Sequence, residues 1–206
     1  MPTVLIATTN IKKAGEMLQI LSAANPDLEF LTLADFPDAP EVDEVGETFS
    51  ENATIKAIAG ASLSGLVTVA DDGGLCIDAL DGNPGVKSHR FLGTETSFAE
   101  KMGSILLLMA NVPAEKRTCR FQCAVSIAIP LESGDMQLYD CTGICEGRIG
   151  ARISGEHGFG YDPIFFLPEM GKYMAELTPE EKHRISHRGK ALACASIALR
   201  EAFWPA

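Results

Sequence analysis

The order in which apolar runs and helical segments alternate restricts the fold of this chain more than any other sequence feature. Residues 3–8 (TVLIAT) form an apolar run of the length of a buried strand. A polar turn follows, and then Ala14, Met17, Leu18 and Leu21 recur at helical spacing. A strand, a polar turn and an amphipathic helix in this order predict an α/β fold.

Two capping boxes mark the starts of further helices. Residues 48–51 (TFSE) begin a helix predicted to end near Leu63, and residues 178–181 (TPEE) begin another, with Pro179 at its first helical position. A third helix is predicted at about 97–110. One apolar stripe marks the last helix: Leu192, Ala195, Leu199 and Phe203.

Strands account for the remaining apolar runs. Residues 66–70 (LVTVA) predict a buried strand that ends at Asp71, and two long strands at about 117–130 and 136–146 flank a hairpin turn. Two segments rich in Pro, Gly or acidic residues are predicted loops: 32–46 and 81–93. A chain of 206 residues, at roughly 150 residues per domain, is expected to be a single domain, 1–206.

Charge and hydropathy exclude several classes of partner. The chain has 17 Lys and Arg against 28 Asp and Glu, a net charge of −11, and it has no basic block, so we expect no nucleic-acid partner. No run reaches the roughly 18 apolar residues of a spanning helix, and the N-terminus lacks the basic start of a signal peptide. These features predict a cytoplasmic protein without a membrane partner.

The six cysteines are predicted to be reduced thiols. They stand at positions 76, 119, 123, 141, 145 and 194, none of them in a C-x-x-C pair. Two pairs have an i, i+4 spacing, which metal ligands also show, but strand residues at this spacing share one face as small buried hydrophobes. Reduced core thiols are typical of a cytosolic protein.

One polar cluster follows the first strand. Thr8, Thr9, Asn10 and Lys13 lie at a strand-to-helix turn, where hydroxyls, backbone amides and a lysine can hold a phosphate. Capping of the helix by Thr9 or Asn10 is the alternative interpretation.

A second cluster, residues 71–74 (DDGG), follows the strand at 66–70. In an extended segment Asp71 and Asp72 point to opposite faces, so one can bind Mg²⁺ or accept a proton while the other braces the loop. A partner acid can come from the acidic loop at 41–44. A type I′ turn of Asp-Gly character is the alternative.

Two later segments carry groups suited to a flat ligand with hydrogen-bonding edges. Residues 155–163 (GEHGFGYDP) place glycines around Phe159 and Tyr161, so that their rings can approach a base, and Asp162 can accept hydrogen bonds from a base edge. Residues 182–189 (KHRISHRG) crowd donors at the start of the last helix, where an anion or an electron-rich base edge would compensate their charge. A solvated basic turn is the alternative for this segment.

Together these segments resemble the inosine triphosphate pyrophosphatase family. The motifs follow the family's order: T-x-N-x-x-K at 8–13, G-x-T-F-x-E-N-A at 46–53, A-D-D-x-G-L at 70–75, G-x-P-G-V at 82–86, G-F-G-Y-D-P at 158–163 and S-H-R at 186–188. The resemblance implies an elongated mixed central β-sheet flanked by helices, with two lobes and a substrate cleft between them. It also implies a homodimer that cleaves ITP, dITP and XTP to the monophosphate and pyrophosphate with Mg²⁺.

The resemblance further implies roles for individual residues. Asp72 resembles the family's proton acceptor and metal ligand, with Glu44 or Asp43 as a second ligand. Donors from His187 or Arg188 favour a 6-oxo purine, because the 6-amino group of adenine leaves them unpaired. The residues implied to bind substrate are Thr8, Thr9, Asn10, Lys13 and Gly73, with Phe159, Gly160, Tyr161, Asp162, Lys182, His187 and Arg188 for the base.

Three positions depart from the family's pattern. Gly73 replaces the usual serine, Thr9 replaces the usual glycine, and His89 stands where a small residue is common. The loss of a hydroxyl at Gly73 motivates one alternative function, a nucleotide-binding sensor without significant hydrolysis. A pyrophosphatase that prefers a modified pyrimidine is another.

Overall fold

The computed structural model describes residues 1–204, which form seven β-strands and five α-helices. The strands are β1 (Thr3–Ile6), β2 (Glu29–Thr32), β3 (Val67–Ile77), β4 (Thr118–Pro130), β5 (Met136–Ile149), β6 (Phe165–Leu167) and β7 (Lys172–Tyr173). The helices are α1 (Ile11–Ala24), α2 (Phe49–Ser64), α3 (Phe98–Leu108), α4 (Pro179–Ile185) and α5 (His187–Phe203).

The seven strands form one mixed sheet in the order β2-β1-β3-β4-β5-β6-β7. β1 is parallel to β2 and β3, whereas β6 is antiparallel to β5 and β7. β4 and β5 are neighbours joined by residues 131–135, so the predicted hairpin is confirmed. The prediction of an α/β fold built on a mixed sheet is confirmed as well.

The predicted capping boxes begin α2 and α4. Thr48 Oγ1 accepts a hydrogen bond from Glu51 N at 3.1 Å, and Thr178 Oγ1 accepts one from Glu181 N at 3.3 Å. In each box the glutamate side chain accepts a hydrogen bond from the backbone N–H of the cap residue, so both hydrogen bonds of the capping box are present. Ser186 separates α4 from α5, which divides the basic segment 182–189 between two helices.

β2 and the course of β3 differ from the sequence predictions. The pattern predicts no strand at Glu29–Thr32, where each residue stays partly or fully exposed. The strand expected to end at Asp71 instead continues through the DDGG segment to Ile77, so that boundary and the type I′ turn alternative are both wrong. β3 lies between β1 and β4 in the sheet, and its register with β1 covers only Val67–Val69, so β1 does not pair with the DDGG segment.

The chain divides into two compact units. Unit 1 comprises Met1–Asp72, Cys123–Gly143 and Arg188–Ala206, and unit 2 comprises Gly73–Gln122 and Ile144–His187. Each unit contains its own buried apolar residues.

In unit 1, Met17 of α1 and Leu192 of α5 belong to one fully buried apolar cluster. In unit 2, Ile105 of α3 and Phe165 of β6 belong to another. None of the helices within residues 1–204 is long and apolar enough to cross a membrane.

Cys141 on β5 and Cys194 on α5 form a disulfide bond, with their Cα atoms 5.8 Å apart. The prediction that all six cysteines are reduced is therefore wrong for this pair. The two residues are 53 positions apart, and only the packing of α5 brings them together. Cys119, Cys123 and Cys145 are buried, as predicted. Burial raises the pKa of the Cys123 thiol to about 12, so that thiol stays protonated.

Removing this disulfide should destabilise the protein, because the bond restricts the unfolded chain across a separation of 53 residues. We expect Cys194→Ser to lower the free energy of unfolding by about 4 kcal/mol, measured by urea titration. A reductant should lower the stability of the wild-type protein by a similar amount and leave the variant unaffected. An unfolding midpoint of the wild-type protein that does not respond to reductant would contradict the disulfide.

Candidate functional site

Two adjacent carboxylates on β3 have different surroundings. Consecutive side chains of a strand point to opposite faces, so Asp71 and Asp72 diverge. Asp71 is fully buried, and Asp72 is 6% exposed. Each aspartate has its own set of polar partners within unit 1.

Asp72 belongs to a group that we call the acid–lysine cluster: Glu44, Asn52, Lys56 and Asp72. Lys56 Nζ lies 2.6 Å from Glu44 Oε1 and 3.7 Å from Asp72 Oδ1. Asn52 Nδ2 donates a hydrogen bond to Asp72 Oδ2 at 3.2 Å. Each carboxylate oxygen of Asp72 thus has a donor or a cation beside it, which fixes the orientation of the carboxylate.

Helix α2 supplies both groups that hold Asp72. Asn52 and Lys56 are four residues apart and therefore share one face of the helix. Asn52 also fastens the preceding loop, because its Oδ1 accepts from Gly46 N at 2.8 Å and its Nδ2 donates to Gly46 O at 3.3 Å. A Cβ at Gly46 would lie 2.7 Å from Asn52 Oδ1, so glycine is required for this approach.

Asp72 holds a proton more readily in the acid–lysine cluster than it would in water. Burial raises the pKa of Asp72, against the Lys56 and Lys13 ammonium groups and together with the Glu44 and Asp71 carboxylates. Burial alone would lower the pKa of Lys56, but the carboxylates of Asp72, Asp71 and Glu44 raise it. Lys56 is therefore charged at neutral pH, and Asp72 is a better proton acceptor than an ordinary aspartate.

Asp71 is held by two cations. Arg188 Nε and Nη2 both donate to Asp71 Oδ2 at 3.0 Å, and Lys13 Nζ lies 3.4 Å from the same oxygen. Burial alone would raise the pKa of Asp71, but Lys13 and Arg188 hold it well below its usual range. Asp71 therefore remains ionised at neutral pH although it is fully buried.

Arg188 also contacts a second acid. Its Nη1 donates to Glu16 Oε2 at 2.9 Å, and its side chain is 3% exposed. The guanidinium group thus joins α5 to β3 through Asp71 and to α1 through Glu16. A role of Arg188 in binding a base remains a prediction from the sequence.

The turn between β1 and α1 is a helix cap. Asn10 Oδ1 accepts hydrogen bonds from the backbone N–H groups of residues 12 and 13, both at 3.1 Å, which is the capping alternative for this segment. Thr8 Oγ1 accepts from Asn10 N at 3.3 Å. Thr9 is exposed and is not among the described residues with a positive φ, so its Cβ causes no backbone strain.

In unit 2, a group that we call the aromatic loop cluster contains Phe159, Gly160, Tyr161, Asp162 and Lys182. Asp162 Oδ2 accepts from Phe159 N and from Lys182 Nζ, both at 2.8 Å. Lys182 Nζ also lies 4.6 Å from the centre of the Phe159 ring, a cation–π contact. Asp162 and Lys182 are both buried, so one ion pair fixes the loop and its aromatic residue together.

Glycines give this loop its shape. Gly158 has a φ of +73° and Gly160 a φ of +65°, which side chains rarely adopt. A Cβ at Gly158 would lie 2.1 Å from Asp162 Oδ2. The carboxylate can therefore reach the loop backbone only because residue 158 is glycine.

Tyr161 lies in the core of unit 2. It is 3% exposed, its hydroxyl donates to Ser88 O at 2.9 Å, and its ring meets the edge of Phe98 at 5.2 Å. The rings of both Phe159 and Tyr161 are predicted from the sequence to approach a flat ligand. Phe159 remains partly exposed, whereas the ring of Tyr161 packs inside the protein.

The remaining predicted residues lie at or beside these groups. Gly73 follows Asp72 within β3 and is half-buried, and His187 is the first residue of α5 and is buried. Asp43 is exposed on the loop that also carries Glu44.

The two carboxylates of the acid–lysine cluster suit a magnesium ion. Residues 1–204 contain no group of three or more His, Cys, Asp and Glu side chains that could hold a metal. Mg²⁺, however, is commonly bound through one or two carboxylates, with water and substrate phosphates as its other ligands. Glu44 and Asp72 each direct an oxygen toward the positive charge of Lys56, so two carboxylates that could bind such an ion lie on either side of one cation.

Three members of these groups were not predicted as site residues from the sequence: Asn52, which lies within the motif at 46–53, Lys56 and Glu16. A signal for the first two was present, because an amide and a lysine one turn apart sit beside the buried Ala53 and Ala57 of a small-residue helix. Glu16 gave no local signal, since its partner Arg188 is 172 residues away in the chain.

Known proteins with similar sequences and folds cover almost the whole chain. A sequence profile of the Ham1 family matches residues 4–196. The dITP/XTP pyrophosphatase of Geobacillus kaustophilus is 46% identical over 192 residues, which cover 93% of this chain and 91% of that protein. A HAM1 protein from Coxiella burnetii has a similar structure, with a TM-score of 0.85, 37% identity, and coverage of 98% of this chain and 100% of that one.

A solved structure from Mycobacterium abscessus is also similar. It is described as a nucleoside-triphosphatase or dITP/XTP pyrophosphatase, and it aligns with a TM-score of 0.71 and 38% identity. The alignment covers 99% of this chain and 100% of that one.

The same isosteric change at the two neighbouring aspartates should have very different effects on stability. Asp71→Asn leaves the buried Arg188 and Lys13 without their shared counter-ion, and we expect it to lower the free energy of unfolding by about 3 kcal/mol. Asp72→Asn should cost far less, because the raised pKa of Asp72 means that burial already penalises its charge, and because Lys56 keeps Glu44. Urea titrations in metal-free buffer at pH 7 measure both.

Lowering the pH should change the contributions of Asp71 and Asp72 to stability in opposite directions. The folded-state pKa of Asp71 is lowered, so its contribution to stability is present above its unfolded pKa and is lost as the pH falls through its folded pKa. The folded-state pKa of Asp72 is raised, so the penalty of its charge disappears as the pH falls through that value. A larger loss of stability from Asp72→Asn than from Asp71→Asn would contradict these assignments.

Proposed function

The chain belongs to the Ham1 family, and we propose that it hydrolyses ITP, dITP and XTP to the nucleoside monophosphate and pyrophosphate. Family membership also confirms the resemblance inferred from the motifs. The observation that carries the proposal is the carboxylate of Asp72, which Asn52 and Lys56 orient and whose pKa burial raises. The names of the similar pyrophosphatases support the same reaction.

One group of residues acts on the phosphates. Lys13 and Lys56 supply positive charge beside the triphosphate and the departing pyrophosphate, where negative charge develops. Thr8, Thr9 and Asn10 line the turn that leads to Lys13. Gly73 follows the catalytic carboxylate with a backbone that a substrate oxygen can approach.

Asp72 orients a water molecule and accepts its proton as the water oxygen attacks the α-phosphorus. The bond from the α-phosphorus to the bridging oxygen breaks, and pyrophosphate leaves. A carboxylate with a raised pKa suits this role, because general bases work best when their pKa approaches the working pH.

Mg²⁺ is the proposed cofactor. The oxygens of Asp72 and Glu44 would hold it, with Asp43 as the alternative second acid. When bound, the ion would neutralise phosphate charge during the reaction.

A second group of residues binds the base. The exposed part of the Phe159 ring offers a stacking face, and Gly160, Tyr161 and Asp162 keep the loop in shape. Lys182, His187 and Arg188 direct positive charge or donors toward the base edge, as the sequence analysis expects. A donor that meets the 6-oxo group of hypoxanthine or xanthine would face the 6-amino group of adenine, which leaves it unpaired.

We propose further that residues 1–206 work as one functional domain, as a homodimer in the cytoplasm, without a nucleic-acid or membrane partner. The net charge of −11 supports the absence of a nucleic-acid partner. The dimer rests on the family resemblance, and the location rests on the hydropathy of the sequence.

Removal of the charge on Asp72 tests its role as the base. We expect Asp72→Asn to lower kcat for dITP by about 10²- to 10⁴-fold. Asp135→Asn, which changes an exposed acid of the hairpin turn, is the matched control and should retain wild-type turnover. Pyrophosphate release measures both, and normal turnover by Asp72→Asn would remove Asp72 from the reaction.

A substrate series tests reaction, base preference and cofactor together. We expect Mg²⁺-dependent release of pyrophosphate from dITP and XTP, and rates for dATP lower by up to about 10⁴-fold. Equal rates for dITP, XTP and dATP would support the proposed reaction but contradict the role of His187 in recognising the base. Tight nucleotide binding without hydrolysis would favour the sensor alternative.

A further inference from the structure

Three rings of unit 2 form one continuous stack. The ring centroids of Phe165 and Phe121 are 4.3 Å apart with an interplanar angle of 22°, and those of Phe121 and His187 are 4.8 Å apart at 20°. The three residues come from β6, β4 and the start of α5. They are 0%, 5% and 6% exposed, so water has little access to the stack.

The backbone of β5 supports the far end of the stack. A Cβ at Gly147 would lie 2.5 Å from both Cε1 and Cζ of Phe165. The Phe165 ring therefore occupies the space that a side chain at position 147 would need. With this ring held in place, Phe121 stacks on a fixed aromatic ring and also stacks on His187.

A stacked imidazole has a restricted orientation. Both ring nitrogens of histidine, and any hydrogen they carry, lie in the plane of the ring. A near-parallel ring 4.8 Å away prevents the imidazole from rotating about χ2 without losing the contact. The plane of the Phe121 ring thus sets the plane in which His187 can form hydrogen bonds.

We infer that Phe121 is a positioning residue that determines base specificity, because it fixes the direction of the hydrogen bond between His187 and the base. This inference rests on the proposed function, in which His187 distinguishes a 6-oxo from a 6-amino purine. Phe121 contacts the imidazole and takes no part in the chemistry at the α-phosphorus. Its removal should therefore change base discrimination and leave the phosphate reaction intact.

The test compares a substitution that removes the ring with one that keeps it. Phe121→Met retains much of the apolar volume without a flat face, whereas Phe121→Tyr retains the face. We expect Phe121→Met to lower the ratio of kcat/KM for dITP over dATP by about three- to tenfold, the range for one hydrogen bond that is no longer aligned. The change should appear as a higher KM for dITP at unchanged kcat, and Phe121→Tyr should keep the wild-type ratio.

A matched control separates specificity from stability. Ile105→Ala truncates a fully buried residue of the same apolar cluster, so it should destabilise unit 2 while keeping the substrate ratio. A ratio that Phe121→Met leaves unchanged, or that Ile105→Ala lowers equally, would overturn the inference.

A second measurement does not depend on catalysis. Stacking on Phe121 should shift a His187 ring-proton NMR resonance upfield, assigned by its absence in His187→Gln, and Phe121→Met should abolish that shift.

If the wild-type protein hydrolysed none of the triphosphates, the proposed function would fail. The ratio of dITP to dATP binding affinities, compared between wild type and Phe121→Met, would then decide the inference: a lower ratio in the variant supports it and an equal ratio overturns it.

Discussion

The buried charge of Asp71 is the constraint on which the arrangement of unit 1 depends. An ionised carboxylate without water costs several kcal/mol unless cations and donors surround it. Arg188 and Lys13 meet this requirement at one oxygen, and they come from α5 and α1. Both helices must therefore pack against β3 for the buried charge of Asp71 to be stabilised. Glu16 of α1 also pairs with Arg188 of α5.

Strand alternation gives the next residue a different role. Asp72 faces Asn52 and Lys56 of α2, and burial raises its pKa while the cations beside Asp71 lower the pKa of that neighbour. Two identical side chains, next to each other in the chain, thus have different environments: Asp71 is a buried counter-ion, and Asp72 is the residue that we propose as the proton acceptor. Their environments are separated because β3 continues through the DDGG segment as a strand, which keeps the two faces apart.

The aromatic loop cluster uses a buried carboxylate in the same way. Asp162 binds a backbone amide of its own loop and the ammonium group of Lys182, which in turn lies over the Phe159 ring. The same unit contains the stack of Phe165, Phe121 and His187. The side chains that we propose for the base are therefore held by packing and by an ion pair within the protein.

Local patterns in the sequence determined the helix starts, the hairpin and the α/β class. They also identified Asp72, Lys13 and Asp162 as candidate polar site residues. These features depend on neighbours within a few residues, such as a cap and its glutamate. Only the tertiary structure decided the partners of Arg188, the place of Lys56 beside Glu44, and the Cys141–Cys194 disulfide. Arg188 is 117 residues from Asp71 and Cys141 is 53 from Cys194, whereas Lys56 is only 12 from Glu44 but lies on α2 while Glu44 lies on the preceding loop. The geometry of each pair exists only after these elements have packed, so no local spacing encodes it.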